Sequence, residues 1–170
     1  GDALWQRYLD GEITERDYWL TFAGRAQDNG APLDGHPTLM RAMFQQPGVE
    51  AVRPEGMALV ETCIEAGLRV GILTNELMDF QGREWVESQP WFEYFPVLVD
   101  SSELGSRKPA PEPYLVAIEQ MELAPEEIVF VDDNPTYVKG GRAVGLRSVL
   151  LDGLHSPFGM ALVGETLYVA

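Results

Sequence analysis

The chain has 170 residues, enough for one domain or for one domain with a small appendage. Its 45% apolar content is that of a globular protein with a substantial core. Twelve basic residues against 27 acidic ones give a net charge of −15, which excludes nucleic acid and anionic membrane surfaces as expected partners and is compatible with cation binding.

From the start to about Val52 the chain reads as a few small helices with no strand signal. Leu4, Trp5, Tyr8 and Leu9 fall at helical spacing, and Gly11 ends that turn. Thr14-Glu15-Arg16-Asp17 is a loose capping box ahead of Tyr18, Trp19, Leu20 and Phe22. A Gly/Pro/Asp-rich break spans Asn29 to Gly35, and a short helix is predicted from Pro37 to Gln45. The aromatic group at Trp5, Tyr8, Tyr18, Trp19 and Phe22 reads as the core of this zone more readily than as a substrate pocket.

From about Arg53 to Leu151 the pattern alternates. A helix is predicted over Pro54–Gly67, with Pro in its first turn and Gly at its end. Its lone cysteine, Cys63, lies in an apolar helical run, excludes an intrachain disulfide and reads as a buried thiol rather than a nucleophile. Leu68–Leu73 is a compact apolar run typical of a strand buried on both faces. A helix over Phe80–Ser88, a strand at Val97–Val99, a helix over Pro111–Met121 and a strand at Ile128–Val131 follow. A helix over Pro135–Val144 and a strand at Ser148–Leu151 complete the series. Such alternation predicts a Rossmann-like parallel sheet in an α/β fold with right-handed crossovers. Asp152–Ala170 differs, reading as two short strands, Met160–Val163 and Thr166–Ala170, about a Gly-Glu turn.

Ligands of open α/β sheets bind at the carboxyl ends of strands. The residues after each apolar run are therefore the candidates: Thr74 and Asn75; Asp100, Ser101 and Ser102 with a loop reaching Lys108; and Asp132 and Asp133. A Thr hydroxyl and the next backbone N–H groups make an anion cradle. A nearby Lys neutralises phosphoryl oxygens. Two adjacent Asp residues offer hard oxygen ligands suited to Mg²⁺. Taken singly, each has an ordinary alternative: helix capping for Thr74 and the Asp pair, a surface position for Lys108. His36 and His155 sit in Gly/Pro loops and read as loop residues.

The segments GILTNE, SRKPAPEPY and VFVDDNPTYVKGGRAVGL resemble the second, third and fourth motifs of the haloacid dehalogenase-like hydrolase superfamily. LWQRYLDGEITERDYW is similar to the small helical cap of that family's phosphatase and dehalogenase branch. The resemblance implies a helical cap over 1–52, an α/β core over 53–151 and an atypical β tail over 152–170. It implies that Thr74 binds phosphate with the Asn75 backbone assisting, that Lys108 steadies the phosphoryl group, and that Asp133 is a metal ligand with Asp132 beside it. The cofactor implied is Mg²⁺ or Mn²⁺ and the substrate a small phosphate ester; a cytoplasmic location is expected separately, from the lone cysteine and the lack of a visible signal peptide or membrane-spanning run.

The family's first motif, a strand ending in Asp-x-Asp, has no match here: no Asp-x-Asp pair occurs in the sequence. That motif's first Asp is the family's nucleophile and its strand is central in the sheet. The chain therefore reads as truncated at its N-terminal strand, and hydrolysis is expected to run slowly and promiscuously through a metal-bound water. A non-catalytic relative and a piece of a longer protein are the alternatives. The tail SPFGMALVGETLYVA resembles a blade fragment of a sorbosone dehydrogenase-like β-propeller. Thr166–Val169 is expected to supply a replacement strand, within the chain or swapped into a homodimer. Entering parallel, it would bring the Ala170 carboxylate near the position of the nucleophile.

Overall fold

The computed structural model describes residues 3–45, 52, 54–151 and the backbone of 166–169. Ala170, His155, Asp2 and the strand expected at Met160–Val163 lie outside the described residues. The chain divides into two compact units, Gly1–Ala51 and Val52–Ala170. No described helix is long and apolar enough to cross a membrane.

The first unit holds α1 (Ala3–Leu9), α2 (Glu15–Asp28) and α3 (Gly35–Phe44). Helix α2 begins where Thr14 and Asp17 cap one another: the Thr14 hydroxyl accepts from the Asp17 N–H, and Asp17 accepts from the Thr14 N–H. Tyr18 and Trp19 are buried, and Tyr18 sits edge-on to Trp5 at 5.2 Å and to Trp19 at 4.9 Å. These rings form the unit's aromatic core. His36 is a buried residue of α3, not a loop residue, because that helix starts two residues earlier than its proline suggests.

The second unit contains α4 (Pro54–Glu65), β1 (Arg69–Thr74), α5 (Leu77–Gln81), α6 (Arg83–Glu87), β2 (Val97–Asp100) and α7 (Ser101–Leu104). These are followed by α8 (Pro111–Met121), β3 (Val129–Asp132), α9 (Pro135–Ala143), β4 (Arg147–Leu150) and β5 (Thr166–Val169). The single helix predicted over Phe80–Ser88 is two short ones, parted at Gly82 with φ of 84°. Only glycine takes that conformation without strain. The four-residue α7 lies where no helix was predicted.

All strand pairings are parallel, and the sheet order is β2-β1-β5-β3-β4. Side chains alternate between its faces. Val70 and Ile72 of β1 and Val129 and Val131 of β3 join Val60 and Cys63 of α4 in one cluster. Leu73, Ile128 and Phe130 join Tyr114, Ala117 and Met121 of α8 in the other. Helices thus cover both faces, which is why residues 70–73 of β1 and 129–131 of β3 are apolar without interruption. The fold is α/β with a parallel sheet, as the strand–helix alternation predicts.

Candidate functional site

Parallel strands that end together gather their next residues on one edge. Thr74 is level with Asp100 across the β1–β2 ladder, and Asp132 closes β3 on the same side. The β2–α8 connection crosses this edge and carries Lys108 into it.

Lys108 is 5% exposed. Its Nζ donates to the Leu73 carbonyl and to Asp132 Oδ2, each at 2.9 Å. The ammonium also lies 5.3 Å from the Phe130 ring centre and 5.0 Å from that of Tyr137. An ammonium desolvated this far needs a compensating anion, and Asp132, 1% exposed, supplies it. The other Asp132 oxygen, Oδ1, accepts from the Asn134 N–H at 2.8 Å. Asn134 in turn caps α9 by accepting from Thr136. Asp133 follows, half-buried.

The loop bearing Lys108 is fixed by residues whose side-chain roles the sequence did not disclose. Asn75 clasps the Lys108 main chain: its Oδ1 accepts the Lys108 N–H at 2.8 Å and its Nδ2 donates to the Lys108 carbonyl at 3.3 Å. Its side chain, rather than only its backbone, belongs to the site. Arg107 pairs with buried Glu76 at 3.2 Å and approaches Asp79 at 3.7 Å. Gly140 lets α9 come close, since a Cβ there would lie 2.7 Å from Tyr114 Oη and 2.9 Å from the Pro109 carbonyl. Tyr114 donates to the Tyr137 carbonyl at 2.8 Å. Burial, and secondarily the Asp132 charge, pushes its phenol above the usual range.

The structure thus brings Thr74, Asn75, Lys108, Asp132 and Asp133 to one end of the sheet. Asp100 is structural there: its oxygens accept from the Met78 and Ser102 N–H groups and from the Ser102 hydroxyl. A divalent cation would find a single acid here rather than a cage of protein ligands. Both Asp132 oxygens are engaged by Lys108 and Asn134, and among the described residues no three His, Cys, Asp or Glu side chains converge. Asp133 is the acid that would hold such an ion, since Mg²⁺ takes one or two carboxylates together with waters and substrate oxygens.

Comparison with known proteins accords with this architecture. The chain is 29% identical over 158 residues to a phosphoserine phosphatase of Thermus thermophilus, an alignment covering 89% of this chain and 63% of that protein. It is 27% identical over 156 residues to the phosphoglycolate phosphatase of Escherichia coli, covering 87% of this chain and 61% of that one. The chain therefore spans less than two thirds of the length of these relatives. Its fold matches that of the Bacillus subtilis HAD-hydrolase YfnB with a TM-score of 0.66 at 19% identity, covering 96% of this chain and 72% of that one. A HAD phosphatase of Thermococcus onnurineus matches with a TM-score of 0.61 at 20% identity, over 96% and 74%. The haloacid dehalogenase-like hydrolase family matches residues 5–145, and the chain belongs to it.

Proposed function

We propose that this chain binds the phosphoryl group of small phosphate esters at the carboxyl ends of β1 and β3 and hydrolyses them slowly. The observation that carries this is Lys108 held between the carbonyl of Leu73, the residue before Thr74, and Asp132. An ammonium has three donors, and these two acceptors take two of them. Thr74 supplies a hydroxyl and Asn75 a backbone N–H to the phosphoryl oxygens. Asp132 positions Lys108 rather than meeting substrate.

With no Asp-x-Asp pair in the sequence, the attacking group in this reading is water. A water oxygen bonds to phosphorus, the ester P–O bond breaks, and the proton passes by way of Asp133 to the leaving oxygen. Positioned charge without a covalent intermediate leaves a high barrier, so turnover is slow and tolerant of the leaving group. The Mg²⁺ or Mn²⁺ implied by the resemblance enters no step. The phosphatase relatives support the substrate class.

The test is release of nitrophenol from p-nitrophenyl phosphate by the full chain. Asp133→Ala is expected to abolish release above buffer, and Thr74→Val to lower it about tenfold, in line with the loss of one donor to a charged group. Equal rates in all three proteins would refute the reading. A second reading, a phosphate-binding chain without turnover, is favoured by the near-complete burial of Lys108. It expects phosphate-induced stabilisation with no product.

A further inference from the structure

Strand β5 follows every other described element in sequence, yet it stands third of five in the sheet. It pairs with β1 from Arg69↔Thr166 to Ile72↔Val169, and with β3 at Val129↔Leu167 and Phe130↔Tyr168. Every ladder joining the β2–β1 pair to the β3–β4 pair therefore runs through β5. Without it, β1 and β3 would face each other with rows of unpaired N–H and carbonyl groups between buried faces.

Lys108 spans the same gap at the carboxyl end, with one bond to β1 at Leu73 and one to β3 at Asp132. Parallel neighbours lie about 4.8 Å apart, so one intervening strand sets β1 and β3 about 10 Å apart. The two Lys108 bonds are fitted to that width. Closing the gap to a direct pair, or letting it widen, removes one of them.

Connectivity does not force β5 into place. Residues 152–165 precede it, and at ~3.3 Å each they reach roughly 45 Å. The path from β4 needs only about 10 Å across the sheet and about 13 Å back along it. Its described ties to the sheet are the ladders with β1 and β3.

We propose that the gap between β1 and β3 is a strand-accepting slot, that its occupant is this chain's own Thr166–Val169, and that occupancy decides whether Thr74, Lys108 and Asp132 converge. The proposal stands independently of any phosphoryl chemistry. Hydrogen exchange on the full chain tests the occupant. The Leu167–Val169 amides are expected to be protected alongside Val70–Leu73 and Phe130–Val131. Exchange of 167–169 at the rate of unstructured chain, with β1 and β3 protected, overturns it.

The consequence for the site is tested with Leu167→Pro, because proline removes a ladder donor from a central strand. The chain has two lysines, buried Lys108 and exposed Lys139, so acetic anhydride labelling carries its own reference. Wild-type Lys108 is expected to label at least about tenfold more slowly than Lys139, as buried groups react only through opening. In Leu167→Pro the two rates are expected to converge. Complete unfolding of that variant gives the same convergence and supports the proposal, since a proline in a tail outside the sheet would leave the fold intact. A Lys108-to-Lys139 ratio unchanged from wild type overturns it.

Discussion

Lys108 is held at both ends, its main chain by Asn75 and its ammonium by Leu73 and Asp132. Removing either member of a buried pair strands the other charge, at about 3–5 kcal/mol. Lys108→Met and Asp132→Asn are each expected to lose that much in urea unfolding. The double variant is expected to lose well under the sum, because the second change removes the stranded charge. Additive losses would show that the two do not act as a pair. Asn75→Ala leaves two main-chain groups of Lys108 without these partners and is expected to cost about 1–3 kcal/mol. A stability within error of wild type would contradict the clasp. Lys108, Asp132 and Asp133 were legible as candidates because each follows an apolar run or sits in a recognisable motif. The Asn75 clasp was not, because its partner lies 33 residues away and is main chain, which carries no residue-type signal. The same holds for the Leu73 carbonyl.

Elements were readable where burial imposes a period and unreadable where one residue overrides it. β1 and β3 announce themselves because both faces are covered. The break at Gly82 and the four-residue α7 do not, since a positive φ and a single capped turn leave the apolar pattern almost unchanged. The sequence of β5 marks a strand, but nothing in it names its neighbours. Close packing of α9 is a sharper consequence of the structure. A Cβ on Gly141 would lie 2.6 Å from Ser148 Oγ and 2.9 Å from Phe130, so Gly141→Ala is expected to cost about 1–3 kcal/mol through overpacking. A thermal midpoint equal to wild type would contradict that. On α4, burial raises the Cys63 thiol above its ordinary 9.0, and α8 holds Tyr114 above its ordinary 10.0. Both groups are neutral when protonated, so each contributes stability fully present below its unfolded value and lost as pH climbs above it. Urea midpoints should therefore fall more steeply above about pH 10 in wild type than in Tyr114→Phe. Parallel profiles would remove Tyr114 from the alkaline limb.

At the scale of the whole molecule, the family membership rests on residues 5–145 and the sheet on a strand beyond them. The proposed reading takes the carboxyl edge as a phosphoryl site, with Thr74 and Asn75 as its cradle and Lys108, fixed by Leu73 and Asp132, as its cation. Lys108 and Asn134 engage the Asp132 oxygens, which leaves Asp133 as the acid that would hold a divalent cation. Phosphoryl recognition at that edge is thus the claim on which turnover, specificity and the role of Asp133 all depend. It is tested most directly by titrating the full chain with inorganic phosphate while following its thermal midpoint, beside Thr74→Val. The expected result is a midpoint that rises with phosphate concentration in wild type, by about 2.7 kcal/mol of stabilisation at a hundredfold excess over the dissociation constant, and rises far less in Thr74→Val. A midpoint indifferent to phosphate, or an equal rise in both proteins, would contradict it.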